Sequence, residues 1–201
     1  MLSDNYAKSF KDRVPHNLMK AIANKSKQRS GRGTTMAEMP AALWLLILMA
    51  FPLIIVATSA MRFGFFWNAC REAAMQAAKC QTFQTDSAVG ISSINTADSW
   101  AAKAASGFSG ITIVPPVNVY ILQTNVVSGT TTKHTNRTAL AAAADTDNNI
   151  YDIQVELNGQ IEPLFRVPFA GIAGPIPGLT GPYPVVVRSQ YTSEVPQGLN
   201  K

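Results

Sequence analysis

Charge is scarce in this sequence: 14% of its 201 residues are Asp, Glu, Lys or Arg. It is also unevenly placed. Residues 1–33 hold 8 of the 17 Lys and Arg and 2 of the 12 Asp and Glu, a surplus of +6, and the 168 residues that follow are close to neutral at −1. The basic character therefore belongs to a short N-terminal stretch, which argues against a nucleic-acid-binding surface on the folded part. Cysteine is nearly absent as well, and two residues, Cys70 and Cys80, build neither a disulfide scaffold nor a four-cysteine zinc site. His16 lies in the basic stretch and His134 in a Thr-rich segment, so no Cys/His cluster has metal-ligand spacing. The sequence also lacks a glycine-rich phosphate loop, a nucleophile elbow, a His-Glu-x2-His helix and a paired-carboxylate motif, so neither a cofactor nor a catalytic residue is expected. Asp145 and Asp147 lie in a short oxygen-rich stretch without the glycine and terminal glutamate of a calcium loop, and read as a solvated turn. With 47% hydrophobic residues the chain is too apolar to be disordered, and its length suits one domain better than a two-domain enzyme.

What the sequence has in excess is one apolar run. Residues 39–61, bounded by Glu38 and Arg62, are 23 consecutive residues without a charge. As a helix they reach about 35 Å at about 1.5 Å per residue, enough for a bilayer core of roughly 30 Å. A buried helix of a soluble domain of this size shows a wet side, and none exists between Ala41 and Ala57. Pro52 removes one backbone hydrogen bond, which membrane helices tolerate where local adjustment satisfies the freed carbonyl. Lys20, Lys25, Lys27, Arg29 and Arg32 crowd the N-terminal flank, so the N-terminus is expected in the cytoplasm and the C-terminal domain on the other side. A cleaved secretory signal fits poorly, because its apolar region is shorter and ends at a small-residue cleavage site.

Directly before the run stands Ser30-Gly31-Arg32-Gly33-Thr34-Thr35-Met36-Ala37-Glu38, which resembles the processing site of type IV pilin-like precursors. Beyond the run, Asn68-Ala69-Cys70-Arg71-Glu72-Ala73-Ala74 looks like the Asn-Ala-x-Arg-Glu-Ala-Ala helix of the TadE-like minor pseudopilins of tight-adherence (Tad/Flp) pilus systems. The C-terminal part matches that family in general pattern: a Pro/Gly-rich loop, a Val-rich strand and a Glu-Val-Pro close. The resemblance implies a non-enzymatic pilus assembly component of the bacterial inner membrane, supporting pilus biogenesis and surface attachment. It implies cleavage by a prepilin peptidase between Gly33 and Thr34, which makes Glu38 the fifth residue of the mature chain. It further implies that Glu38 meets the freed α-amine of a neighbouring pilin or pseudopilin subunit. The division expected is a basic cytoplasmic leader (1–33), a pilin-like transmembrane helix (34–61) and an extracytoplasmic domain (62–201). The alternative is an uncleaved single-pass anchor carrying an extracytoplasmic binding domain, with Glu38 as its last interfacial charge.

The remainder predicts an α+β fold: the transmembrane helix continues outward and packs against a small antiparallel sheet. Residues 62–83 read as helix, with Phe63, Phe66, Trp67, Cys70, Ala74, Ala77 and Ala78 on a broad apolar face shared between the chain's own domain and other subunits. Ala60 and Gly64 form a small-x3-small pair suited to close helix approach. In unbroken helix Cys70 and Cys80 stand about 15 Å apart, beyond the roughly 7 Å limit for a disulfide. Either the helix breaks between them or they do not pair, and small buried hydrophobes are the other reading of both sulfurs. A second helix is expected over 96–105, one or two strands over 111–122 broken by Pro115-Pro116, and a polar loop over 128–137. The sequon at Asn136 marks an exposed loop. Residues 150–157 alternate as a strand, Asn158-Gly159 reads as a hairpin turn into a partner strand over 160–167, residues 171–184 read as irregular, and 185–192 as a last strand.

Overall fold

The computed structural model describes residues 16–88, 90–164 and 181–201, with the backbone alone over 16–37. By contacts the chain divides into two compact units, Met1–Leu53 and Ile54–Lys201. Helix α1 (His16–Ala78) supplies the described part of the first unit and the opening of the second. An apolar helix, a second helix and an antiparallel sheet make the expected α+β composition.

In the second unit α1 buries Phe66, Ala69, Cys70, Ala73, Ala74, Ala77 and Ala78, a spacing of three and four residues that puts one narrow stripe inward. Five of the seven are alanine, so the helix backbone comes close to whatever faces it. Phe63 and Trp67, expected on this face, stay exposed. The helix also ends earlier than expected, at Ala78 rather than residue 83. Lys79 and Cys80 donate their N–H groups to the Gln76 and Ala77 carbonyls, each at 3.3 Å, closing the last turn in the tighter i→i+3 manner. The chain then turns to meet its own C-terminus, where Phe83 N and Gln84 N donate to the Lys201 carbonyl at 3.0 and 2.8 Å.

Helix α2 (Ser93–Gly107) starts three residues before the expected position because Ser92 caps it, accepting from Asn95 N at 3.4 Å. The Asp86 carboxylate supports the cap by accepting from Ser92 N at 2.7 Å and from the Asn95 amide. The Ser92 N–H first, then the Asn95 amide, hold its carboxyl below the usual range. At its start Ser93 Oγ donates to the Ala77 carbonyl at 2.8 Å, and just past its end Phe108 stacks on Phe65 with ring centroids 4.2 Å apart. Helix α2 therefore runs back along α1 toward Arg62.

The sheet has five described strands, β1 (Ile111–Ile113), β2 (Asn118–Asn125), β3 (Thr131–Lys133), β4 (Asn149–Ile161) and β5 (Tyr183–Thr192). Every pairing is antiparallel and β4 is central: β5 pairs along one edge, and β1 and β2 lie end to end along the other, with β3 outside β2. Pro115 and Pro116, which have no N–H to donate, fall in the break between β1 and β2. Two expectations are corrected here. The polar loop over 128–137 contains β3, a three-residue edge strand held to β2 with Thr124 and Thr131 hydroxyls 2.9 Å apart. Asn158-Gly159 is not a hairpin turn: β4 passes straight through it, with Asn158 opposite Val186 and Gly159 opposite both Ile113 and Val185. The inward alternation of Tyr151, Ile153, Val155 and Leu157 continues unbroken through Gly159 to Ile161. Each large apolar side chain of that row contributes about 1.5–3 kcal/mol by leaving water. Strand β5 begins at Tyr183, two residues before the expected start, and residues 165–180, which include most of the expected irregular stretch, lie outside the described residues.

Candidate functional site

In the first unit the apolar run is uncovered. Leu43, Trp44, Leu45, Leu46, Ile47 and Leu48 are consecutive, so at about 100° per residue they sample every direction around α1, and all six are exposed. A helix that is apolar all round belongs inside a membrane or against other protein. Helix α1 is long and apolar enough to cross a membrane. Glu38 is exposed at the N-terminal edge of this run. The Gly33–Thr34 peptide lies in helical backbone. Gly31 and Gly33 each weaken a helix by about 1 kcal/mol relative to alanine.

At the start of the second unit, the Thr58 hydroxyl donates back to the Ile54 and Ile55 carbonyls at 2.8 and 3.0 Å, which removes a free donor from the apolar surface. Four residues on, the Arg62 guanidinium donates to the Glu162 carbonyl and lies over Gly110. Gly110 has φ +79°, which favours glycine, and a Cβ there would also push the guanidinium aside. Arg62 thus ties α1 to the α2–β1 turn and to the end of β4.

One turn further, Phe66 is fully buried and its ring lies over Gly159, where a Cβ would come within 2.6 Å of the ring carbon Cε2. The Thr112 carbonyl lies nearer still to such a Cβ, and the two together explain the glycine in mid-strand. Cys70 follows, fully buried, its thiol donating to the Val155 carbonyl at 3.3 Å. Cys80 lies just past the helix end, half-buried, 3.1 Å from the Thr96 hydroxyl and 3.4 Å from the Gln76 carbonyl. Both cysteines are free thiols.

Between α1 and α2 lies an open apolar groove of about 230 Å³, lined by Phe65, Asn68, Ala69, Trp100, Ala104 and Phe108 with Glu72 and Lys103 at its polar positions. Ala60 and Gly64 are exposed, and the space beside Gly64 is open. Sequence reasoning found the apolar run and the helix face but not Arg62, Gly159 or the Phe65–Phe108 stack, each of which pairs residues far apart in the chain.

Elsewhere the polar groups hold loops in place. Asp98 and Arg137 form a two-toothed ion pair, closest at 2.9 Å, and Arg137 also donates to the Val117 carbonyl at 2.9 Å. The Asn136 side chain, expected in an exposed loop, is half-buried and engaged at both ends: it accepts from Val119 N at 2.9 Å and donates to Asn118 Oδ1 at 2.8 Å. Asp145 accepts from Asp147 N at 3.1 Å and from the Asn148 backbone and side chain, the geometry of a turn. Among the described residues no group of three or more His, Cys, Asp or Glu is arranged to hold a metal ion.

Comparison of the chain with protein-family models, with curated proteins and with solved structures gives no match. The functional reading accordingly stands on the residues themselves.

Proposed function

We propose that the chain is a TadE-like minor pseudopilin, a non-enzymatic, single-pass inner-membrane component of a tight-adherence pilus system. Its basic leader stays in the cytoplasm, a prepilin peptidase cuts between Gly33 and Thr34, and the α+β domain lies on the extracytoplasmic side. The observation that carries this reading is the apolar stretch exposed over residues 39–49, which begins one residue after Glu38, itself five residues from Gly33. A carboxylate at the edge of such a run is costly unless paired, and the α-amine freed at Thr34 of a neighbouring subunit supplies the charge. The open small-residue pair Ala60 and Gly64 supports close approach of a second helix. The alternative, an uncleaved anchor for a binding domain, is favoured by one observation: the Gly33–Thr34 peptide is helical and must unwind before a peptidase can bind it extended.

Glu38 separates the two. Glu38→Ala and Glu38→Lys are expected to leave membrane association intact while lowering recovery with pilus components and reducing surface adherence. Wild-type recovery and adherence in both variants favour the plain anchor.

A further inference from the structure

Outside the apolar run, every exposed Phe or Trp among the described residues lies at one end of the second unit. Phe63, Phe65 and Trp67 occupy the first two turns of α1 past Met61, and Phe108 stacks on Phe65 from the end of α2. The opposite end of the sheet, at the β2–β3 turn, exposes Val126 and Val127 and no aromatic ring. By helix rise Phe63, Phe65 and Trp67 stand about 3, 6 and 9 Å beyond Met61. Each polar interfacial layer of a bilayer is about 5–8 Å deep, so Phe63 and Phe65 fall within it and Trp67 at its outer edge. Phe108 stands beside Phe65 and shares its level.

We propose that this end of the domain is seated in the headgroup layer of a phospholipid bilayer, with Phe63, Phe65, Trp67 and Phe108 as its interfacial anchors. The proposal rests on the reading of residues 39–61 as a membrane span. Aromatic rings favour that layer because one part of the ring is apolar while the quadrupole tolerates water and charged headgroups. A contact with another helix would use a stripe along α1. Phe63 and Trp67, four residues apart, instead share one face of α1 while Phe65, about 200° from Phe63, lies on the opposite side beside Phe108, so the rings flank the helix on two sides. The Arg62 tie to Gly110 and Glu162 holds the base of the domain to the helix at this level, so Phe108 enters the layer with α1.

Depth-dependent fluorescence quenching of the full chain tests this in a phosphatidylethanolamine–phosphatidylglycerol bilayer doped with headgroup-nitroxide or acyl-chain-brominated phosphatidylcholine. Three chains each retain one native tryptophan, Trp44, Trp67 or Trp100, the other two replaced by Phe, and a fourth lacks all three and carries Phe108→Trp. Trp100 is the reference, about 12 Å back along α2 from Phe108. The headgroup nitroxide is expected to quench Trp67 and the Phe108→Trp probe several-fold more than Trp100, and the acyl bromines to quench Trp44. If Trp44 is quenched but the Phe108→Trp probe behaves like Trp100, the seat is wrong and the span stands. If Trp44 is quenched by neither lipid, the span itself is wrong. Should Phe108→Trp unfold the domain, read by alkylation of Cys70, the Trp67 chain decides alone.

Discussion

Gly159→Ala probes the close approach between α1 and β4. The added methyl would lie 2.6 Å from the Phe66 ring and press on the Thr112 carbonyl, and the second of these is backbone that cannot rotate away. Overpacking of this kind costs about 1–3 kcal/mol. Alanine regains about 0.5–1 kcal/mol because glycine loses more conformational freedom on entering a strand. The net expectation is a loss of about 1–2 kcal/mol, or roughly 2–8 °C in Tm for a domain of this size. The assay is thermal unfolding of the full chain in detergent followed by near-UV circular dichroism, for wild type, Gly159→Ala, Phe66→Leu and the double variant. Because Phe66 is one of the two groups struck, the double variant should be more stable than the sum of the single losses, with a coupling above about 0.5 kcal/mol. A glycine needed only for its backbone freedom would also resist alanine, but a change at Phe66 would not relieve it. Additive losses would therefore refute the packing argument.

Two further predictions follow from buried groups. Maleimide added to the native chain should modify Cys80 and spare Cys70, which is fully buried, and both should react in denaturant; equal native rates would contradict the placement of α1 on the sheet. Glu156 is 8% exposed, so burial opposes its charge, yet the Arg188 guanidinium at 2.5 Å and the Asn118 amide at 3.1 Å together outweigh that and hold its carboxyl below the usual range. A folded value below the unfolded one gives stability that is present above about pH 4.3 and is lost as pH falls through the folded value. Glu156→Gln should flatten that acid limb in a Tm-against-pH series and cost about 1.5–3 kcal/mol at neutral pH, the worth of a hydrogen bond to a charged group; an unchanged limb would assign the acid sensitivity elsewhere.

The features legible in the sequence are those with a local signature. The apolar run shows as an absence of charge, and the inward stripe of α1 as small and apolar residues at three- and four-residue spacing. The alternation of β4 is equally local from Ile153 to Leu157. What escaped depends on distant partners. Asn-Gly is a strong turn signal on its own, and the Thr112 carbonyl together with the ring of Phe66, 93 positions earlier, explains why a glycine is needed inside the strand. The end of α1 at Ala78 is fixed by residues at the far C-terminus, whose carbonyls receive Phe83 and Gln84. Strand β3 is exposed along its whole length, so no apolar pattern announces it. The start of α2 at Ser93 depends on the Ser92 side chain together with Asp86, six positions before it, which accepts from Ser92 N.

Mass spectrometry of the chain purified from membranes or sheared filaments of cells that carry the matching peptidase tests the central claim most directly. The account predicts a species beginning at Thr34, and its loss when Gly33→Ala is introduced. A chain that keeps Met1 as its N-terminus, with no processed species beside it, contradicts the pseudopilin reading and leaves the uncleaved anchor in its place.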